Sequence, residues 1–437
     1  MSTHTESQEN QARAPLRAGA AAPPPQRRAF VLPTSLTRGF SALHVRNYRL
    51  YWFGQIVSQT GSWMQSTAQA WLVLQLTQSP FALGLVTALQ FLPIMLLSLI
   101  SGVIADRVPK HKLIIGTQTA AMVLAAIFGT LVATNAIQLW HIYVMAMLQG
   151  IINAIDNPAR QAFAVELVGR EQIVNAIALN SMLFNGARIV GPAVAGLLIA
   201  QFGIAPVLYL NAISFLAVLG GLLRMNPTEF MAVPTRMLGS VGQRLREGLS
   251  YTWHTPEVLL VMLVVAAIGT FGYNFSVALP LIAGFVLHTD AAQFGALSAF
   301  LGIGSLAGAV TTAYVRQITA RRLLLAAGFF SVLLAGVALS PIFVVSCVLL
   351  VALGFAGIVF ATTANSLLQI NVPDQLRGRV MSLYMLLFAG STPIGGLLIG
   401  TISGLLGVSI ALLICAGLCL LGVGGALLYR RATAVPA

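Results

Sequence analysis

The chain has 437 residues, 57% of them hydrophobic and only 8% charged, against about 25% charged in an ordinary soluble domain. This balance excludes a chain that folds in water behind a charged surface, and the hydrophobicity excludes wholesale disorder. The net charge of +13 raises nucleic acid as a partner, but the basic residues fall where a lipid bilayer would put them.

Residues 1–45 form a polar arm rich in Ala, Pro and Arg without helical period, expected to be a disordered cytoplasmic tail. No apolar core of a secretory signal appears in the first thirty residues. Twelve apolar runs follow, each near the ~20 residues that an α-helical span requires. They cover 50–76, 81–105, 113–134, 140–163, 175–200, 206–223, 257–285, 293–315, 323–339, 343–367, 380–404 and 408–429. The runs are continuous, not alternating, which argues against a β-barrel. The expected architecture is all-α and polytopic: a six-helix half over 46–223, a cytoplasmic central loop over 224–256, a second six-helix half over 257–430 and a short tail over 431–437. Every Lys and Arg except Arg188 lies on one side of the bilayer if both termini and the central loop are cytoplasmic.

Within the central loop, Leu238, Val241, Leu245, Leu249 and Trp253 recur at steps of three and four, while Arg244, Arg246 and Glu247 fall off that stripe. This pattern predicts a short amphipathic helix on the membrane surface. Ala195-Gly196-Leu197-Leu198-Ile199 in the fifth run recurs as Gly395-Gly396-Leu397-Leu398-Ile399 in the eleventh, each after a proline. Two parallel six-helix halves point to a transporter with its site between them. Cys347, Cys415 and Cys419 sit in apolar runs, and the histidines are scattered, so no metal site or cofactor is expected. No nucleophile motif or phosphate loop suggests an enzyme.

Polar residues inside the runs are the candidates for function, because each is costly in hydrocarbon. Asp156 is the one acidic residue within a run, and its expected companion is Arg188, with Arg160 one turn beyond Asp156 also in reach. The pair is either a proton-exchange site, in which the cation and desolvation pull oppositely on the carboxyl, or a structural tie between spans 4 and 5. Span 4 carries Gln149, Asn153, Asp156 and Arg160 on one face; span 5 carries Ser181, Asn185 and Arg188; span 1 carries Gln55, Gln59, Ser62, Ser66 and Gln69. Such stripes face a wet cleft or one another. In the second half, Tyr273, Asn274, Thr362, Asn365, Ser366 and Gln369 are weaker polar patches. Substrate-cleft candidates are therefore Gln55, Gln59, Ser62, Gln149, Asn153, Asn185, Asn274 and Asn365. A cleft of amides and aromatics with little charge suits a moderately apolar small molecule.

Two motifs carry a family resemblance. Gly102-Val103-Ile104-Ala105-Asp106-Arg107-Val108-Pro109-Lys110-His111-Lys112 resembles the signature loop of the major facilitator superfamily, with Pro109 where a second Gly is usual. Its corresponding loop, Tyr314 to Arg322, keeps the basic residues and has no Asp. Gly186-Ala187-Arg188-Ile189-Val190-Gly191-Pro192-Ala193-Val194-Ala195-Gly196 looks like the Gly-Pro motif of that superfamily's exporters. Asp156-Asn157-Pro158-Ala159-Arg160-Gln161 and Arg377-Gly378-Arg379-Val380-Met381-Ser382-Leu383-Tyr384 resemble the branch holding the enterobactin exporter and the macrolide efflux proteins. The resemblance implies the major facilitator fold, a monomer in a bacterial-type inner membrane, and proton-driven export of a drug or siderophore, with a nutrient importer as the alternative. It implies a gating role for Gly102, Asp106, Arg107, Lys110 and Lys112, and close packing at Gly186, Gly191, Pro192 and Gly196.

Overall fold

The computed structural model describes residues 40–231, 241–314 and 318–433, with all of their side chains except those at 98–107, 170 and 241–245. The tail 1–39, Leu238 and Arg316 lie outside the described residues, as do the side chains of Gly102, Asp106 and Arg107. Among the described residues the secondary structure is helical throughout.

Helix α1 (Arg46–Thr77) ends at Gln78, which takes the left-handed conformation. Helices α2 (Pro80–Arg107) and α3 (Lys110–Ala133) follow. Leu139–Phe202 is broken at Gly169, at φ 71° and ψ 177°, into α4 (139–168) and α5 (Glu171–Phe202). Helix α6 (Ile204–Leu223) starts directly after Gly203. Helix α7 (Val241–His254) is the amphipathic helix of the central segment. Then come α8 (Pro256–Val286), α9 (Ala291–Tyr314), α10 (Ala320–Leu339), α11 (Phe343–Asn371), α12 (Asp374–Leu406) and α13 (Val408–Thr433).

Ten of these helices are long and apolar enough to cross a membrane. Helices α1 and α4 are also long enough to cross, but Gln55, Gln59 and Gln69 dilute one and Asp156 and Arg160 the other. Helix α8 is less regular than its sequence suggests, with π-turns at Ile268–Gly272 and Ile282–Val286. The break at 272–274 frees backbone groups, and Asn274 Nδ2 donates to the Thr270 carbonyl at 2.7 Å. In hydrocarbon such repair must come from within the protein.

Helices of each half pack through small residues, the arrangement that lets backbones approach where lipid offers no hydrophobic drive. A Cβ at Gly54 would meet the Val218 backbone, and one at Gly221 the Leu50 carbonyl, so α1 and α6 lie in contact. The halves meet in the same way. A Cβ at Gly84 of α2 would reach Gly396 O of α12 at 2.5 Å, and one at Gly400 the Pro80 carbonyl at 2.7 Å. A Cβ at Gly196 of α5 would reach Ala291 O of α9 at 2.5 Å, while Gly295 lies against the Pro192 carbonyl. Trp71 of α1 stacks on Phe294 of α9 with centroids 5.8 Å apart. The contacts between the halves lie at the distal end of the bundle, opposite the end that holds Arg46 and Thr433.

Helix α7 docks on the second half. Glu247 pairs with Arg379 of α12, and Tyr251 Oη donates to the Asn371 carbonyl at 3.2 Å. Leu249 and Trp253, of the apolar stripe, point outward, 54% and 70% exposed.

Candidate functional site

The centre of the first half is built around Asp156, 4% exposed, in the proximal half of α4. Its Oδ1 accepts from Thr117 Oγ1 at 2.6 Å and from Gln118 Nε2 at 3.1 Å, both on α3. Its Oδ2 pairs with Arg160 Nε, one turn further along α4. Arg160 also donates to Gln55 Oε1 of α1 and lies against the Tyr51 hydroxyl of the same helix. Tyr51 packs edge-on against Phe163, centroids 5.8 Å apart. Three helices thus converge on one ion pair, α3 on its carboxylate and α1 on its guanidinium. Gln55 Nε2 and Gln118 Oε1 are buried in the same cluster without a hydrogen-bond partner.

The expected pairing of Asp156 with Arg188 is corrected by this arrangement. Arg160, at i+4 on the same helix, reaches the carboxylate without crossing to another span. Arg188 instead interacts with the Tyr273 hydroxyl, across the interface between α5 and α8. It therefore bridges the halves at mid-depth. Tyr273 belongs to an aromatic group, with Phe388 at 4.8 Å, Phe275 at 5.2 Å and Phe330 at 5.9 Å between centroids.

The other candidates divide. Gln149 Nε2 donates to Asn153 Oδ1 at 3.0 Å along α4, and Ser62 Oγ and Asn185 Nδ2 return to carbonyls of their own helices, at 2.9 and 2.8 Å. Gln55 is tied to Arg160, so it belongs to the ion-pair cluster, while Gln59 is half-buried nearby. Asn365 accepts from Gln369 on α11 and interacts with Tyr384 of α12. Asn274 is buried, with Oδ1 unpartnered. Of the Gly-Pro motif, Gly191 faces Trp63 of α1 and Gly196 faces α9, whereas Gly186 borders open space. Lys110 of the loop motif pairs with Glu166 at the proximal end of α4, at 3.0 Å; Lys112 is exposed.

Sequence reasoning missed Thr117 and Gln118. The signal is present, a Thr117-Gln118-Thr119 triplet inside an otherwise apolar run. The Trp63 indole Nε1 of α1 is buried without a partner beside Phe184, centroids 5.6 Å apart.

A bundle of long helices, ten of them among the described residues apolar enough to cross a membrane, with polar stripes on its inner helices, fits a transporter of the major facilitator type. The chain belongs to the transmembrane secretion effector family, whose model matches residues 37–436. It is similar to the staphyloferrin A transporter of Staphylococcus aureus, with 27% identity covering 80% of this chain and 87% of the relative. It is likewise similar to the multidrug efflux pump Tap of Mycolicibacterium fortuitum, at 28% with 86% and 94% covered, and to macrolide efflux protein A of Streptococcus pyogenes, at 24% with 82% and 89% covered. Among solved structures, a bacterial homologue of the human lysosomal transporter Spinster, inward-facing and unoccupied, superposes with a TM-score of 0.68 at 14% identity, covering 91% of this chain and 98% of that one. The family and the relatives are transporters, not enzymes, and the protein is integral to the membrane.

Proposed function

We propose that the protein is a proton-coupled exporter of a moderately apolar small molecule, a drug or a siderophore, working as a monomer in a bacterial-type inner membrane with both termini cytoplasmic. The observation that carries this reading is the Asp156–Arg160 pair, buried mid-bundle and hydrogen-bonded onward to Gln55 of α1. Protonating Asp156 removes the charge that holds Arg160 and loosens the link from α4 to the cleft-lining α1. Proton binding and helix position are then one equilibrium, biased in turn by substrate. The names of the relatives support drug or siderophore export.

In the proposed orientation the distal contacts close the outer face, and the cleft opens to the cytoplasm. Arg188, Tyr273, Trp63 and Gln59 border the path of the substrate. Proton release from everted vesicles, on adding lipophilic cations, macrolides or catechol siderophores, tests the coupling; no release with any compound overturns it. For the loop motif, Asp106→Asn is expected to lower transport several-fold with normal membrane insertion. Unchanged uptake rates in those vesicles would remove Asp106 from the gate. Arg188→Gln is expected to reduce turnover more than insertion, since it severs a contact between the halves; equal losses in both would make the contact purely structural.

A further inference from the structure

The loop between α9 and α10 has basic residues and no acid, and its arginines are handled differently from Lys110 in the first half. Lys110 is neutralised by Glu166. Among the described residues, neither Arg321 nor Arg322 pairs with a carboxylate. Both instead stand at the head of a groove of about 420 Å³ between α10 and α11. Below them the groove is walled by Leu325, Phe329, Phe355 and Val359, with Thr319 beside the arginines. The outward face of α10 continues as Leu325, Phe329, Val332 and Leu339, 63%, 54%, 56% and 65% exposed. An exposed face that is apolar along its whole length is a lipid contact, not a wall of the polar cleft.

We propose that this groove is a binding site for an anionic phospholipid, with the phosphate on Arg321 and Arg322 and an acyl chain lying over Leu325 and Phe329. The charge is complementary, because two guanidiniums without acidic partners match a phosphodiester, and Arg offers it paired donors. The depth is also right. Arg321 and Arg322 lie in the first turn of α10, at the level of the headgroups, and the eight residues to Phe329 descend about 12 Å at ~1.5 Å each, most of the ~15 Å that one leaflet of the hydrocarbon core provides. Basic pockets between spans on the cytoplasmic side are suited to anionic headgroups. Placement in the cytoplasmic leaflet rests on the orientation proposed above; the binding itself does not.

The test is native mass spectrometry of the full chain in detergent, titrated with phosphatidylglycerol, phosphatidylcholine or inorganic phosphate. The expected result is retention of one phosphatidylglycerol, preferred over phosphatidylcholine at least about tenfold and not displaced by millimolar phosphate. The preference should vanish in the Arg321→Gln/Arg322→Gln double variant. Leu325→Trp, at an exposed position, should fill the groove and lower retention with both arginines intact. Thermal melting of each variant confirms that it folds. Equal retention of the two lipids, or an unaltered preference in the double variant, overturns the site. Displacement by phosphate alone overturns the lipid and leaves an anion site. Inverted topology in a labelling assay would move the site to the other leaflet without changing the binding result, so the two failures are distinguishable.

Discussion

Asp156→Asn is expected to abolish substrate-triggered proton release from everted vesicles, with active transport of the same compound falling at least about a hundredfold, because the exchangeable charge itself is gone. The pair also has a structural share that must be separated. Breaking one partner of a buried ion pair costs roughly 3–5 kcal/mol, because the other charge is left buried and uncompensated. In Asp156→Asn that charge is Arg160, which keeps Gln55 and Tyr51 as neighbours. The double variant Asp156→Asn/Arg160→Gln removes both charges and should recover much of the thermal stability without recovering proton release. If the double variant restores transport along with stability, the pair is a structural tie between α4 and α1 and the proton site lies elsewhere. Proton release that survives in the single variant leads to the same conclusion.

The second large effect is expected at the distal contacts. A side chain at Gly84 would collide with Gly396 O and Gly400 Cα, at 2.5 and 3.2 Å from its Cβ. Backbone atoms cannot yield as a flexible side chain can, so Gly84→Leu must push α2 from α12. The same holds for Gly196→Leu between α5 and α9, where Ala291 O stands at 2.5 Å. Both variants should insert normally and lose transport by more than about tenfold, since one of the two alternating states is sterically barred. The reading that checks this is labelling of Gln59→Cys by a membrane-impermeant maleimide added outside. The three native cysteines are buried at 5%, 0% and 0% exposure and give a low background. Labelling should be slow in the Gln59→Cys parent and fast once Gly84→Leu or Gly196→Leu is added. Equally slow labelling with and without these substitutions would show that the glycine contacts do not seal the cleft. The unaltered Gly186, which borders open space, supplies the control: Gly186→Ala should transport normally.

The long apolar helices were legible because a bilayer imposes one length and one polarity on every segment that crosses it. Helices α1 and α4 stand out as long, mostly apolar runs even though their polar stripes lower their hydropathy. The broken course of α8 was not legible; nothing in its apolar run distinguishes a π-turn from a regular turn. At the site, the sequence made Asp156 legible as a buried acid but not the cation that pairs with it, which is Arg160 and not Arg188. Arg160 was in reach at i+4, a relation fixed by helix geometry. Choosing Arg188 required knowing how α4 and α5 are tilted and rotated, which depends on packing against neighbours. Thr117 and Gln118 were hidden for the same reason, since only the rotation of α3 shows that the Thr-Gln pair points inward.

Gly169 joins α4 to α5 with a single non-helical residue at φ 71°, a conformation that L side chains resist, and a Cβ there would meet Met231 Sδ at 2.5 Å. The same corner is pinned by the Met231 amide on the Glu166 carbonyl, at 2.8 Å, and by Lys110 on the Glu166 carboxylate. With no slack between them, the two helices behave as the arms of a crank whose pivot is this corner. One arm carries the ionisable pair at Asp156; the other carries Gly196, where the halves touch. In the proposed coupling, a swing of the first arm on protonation would be passed through this corner toward the distal contacts, with no loop between the arms to absorb it.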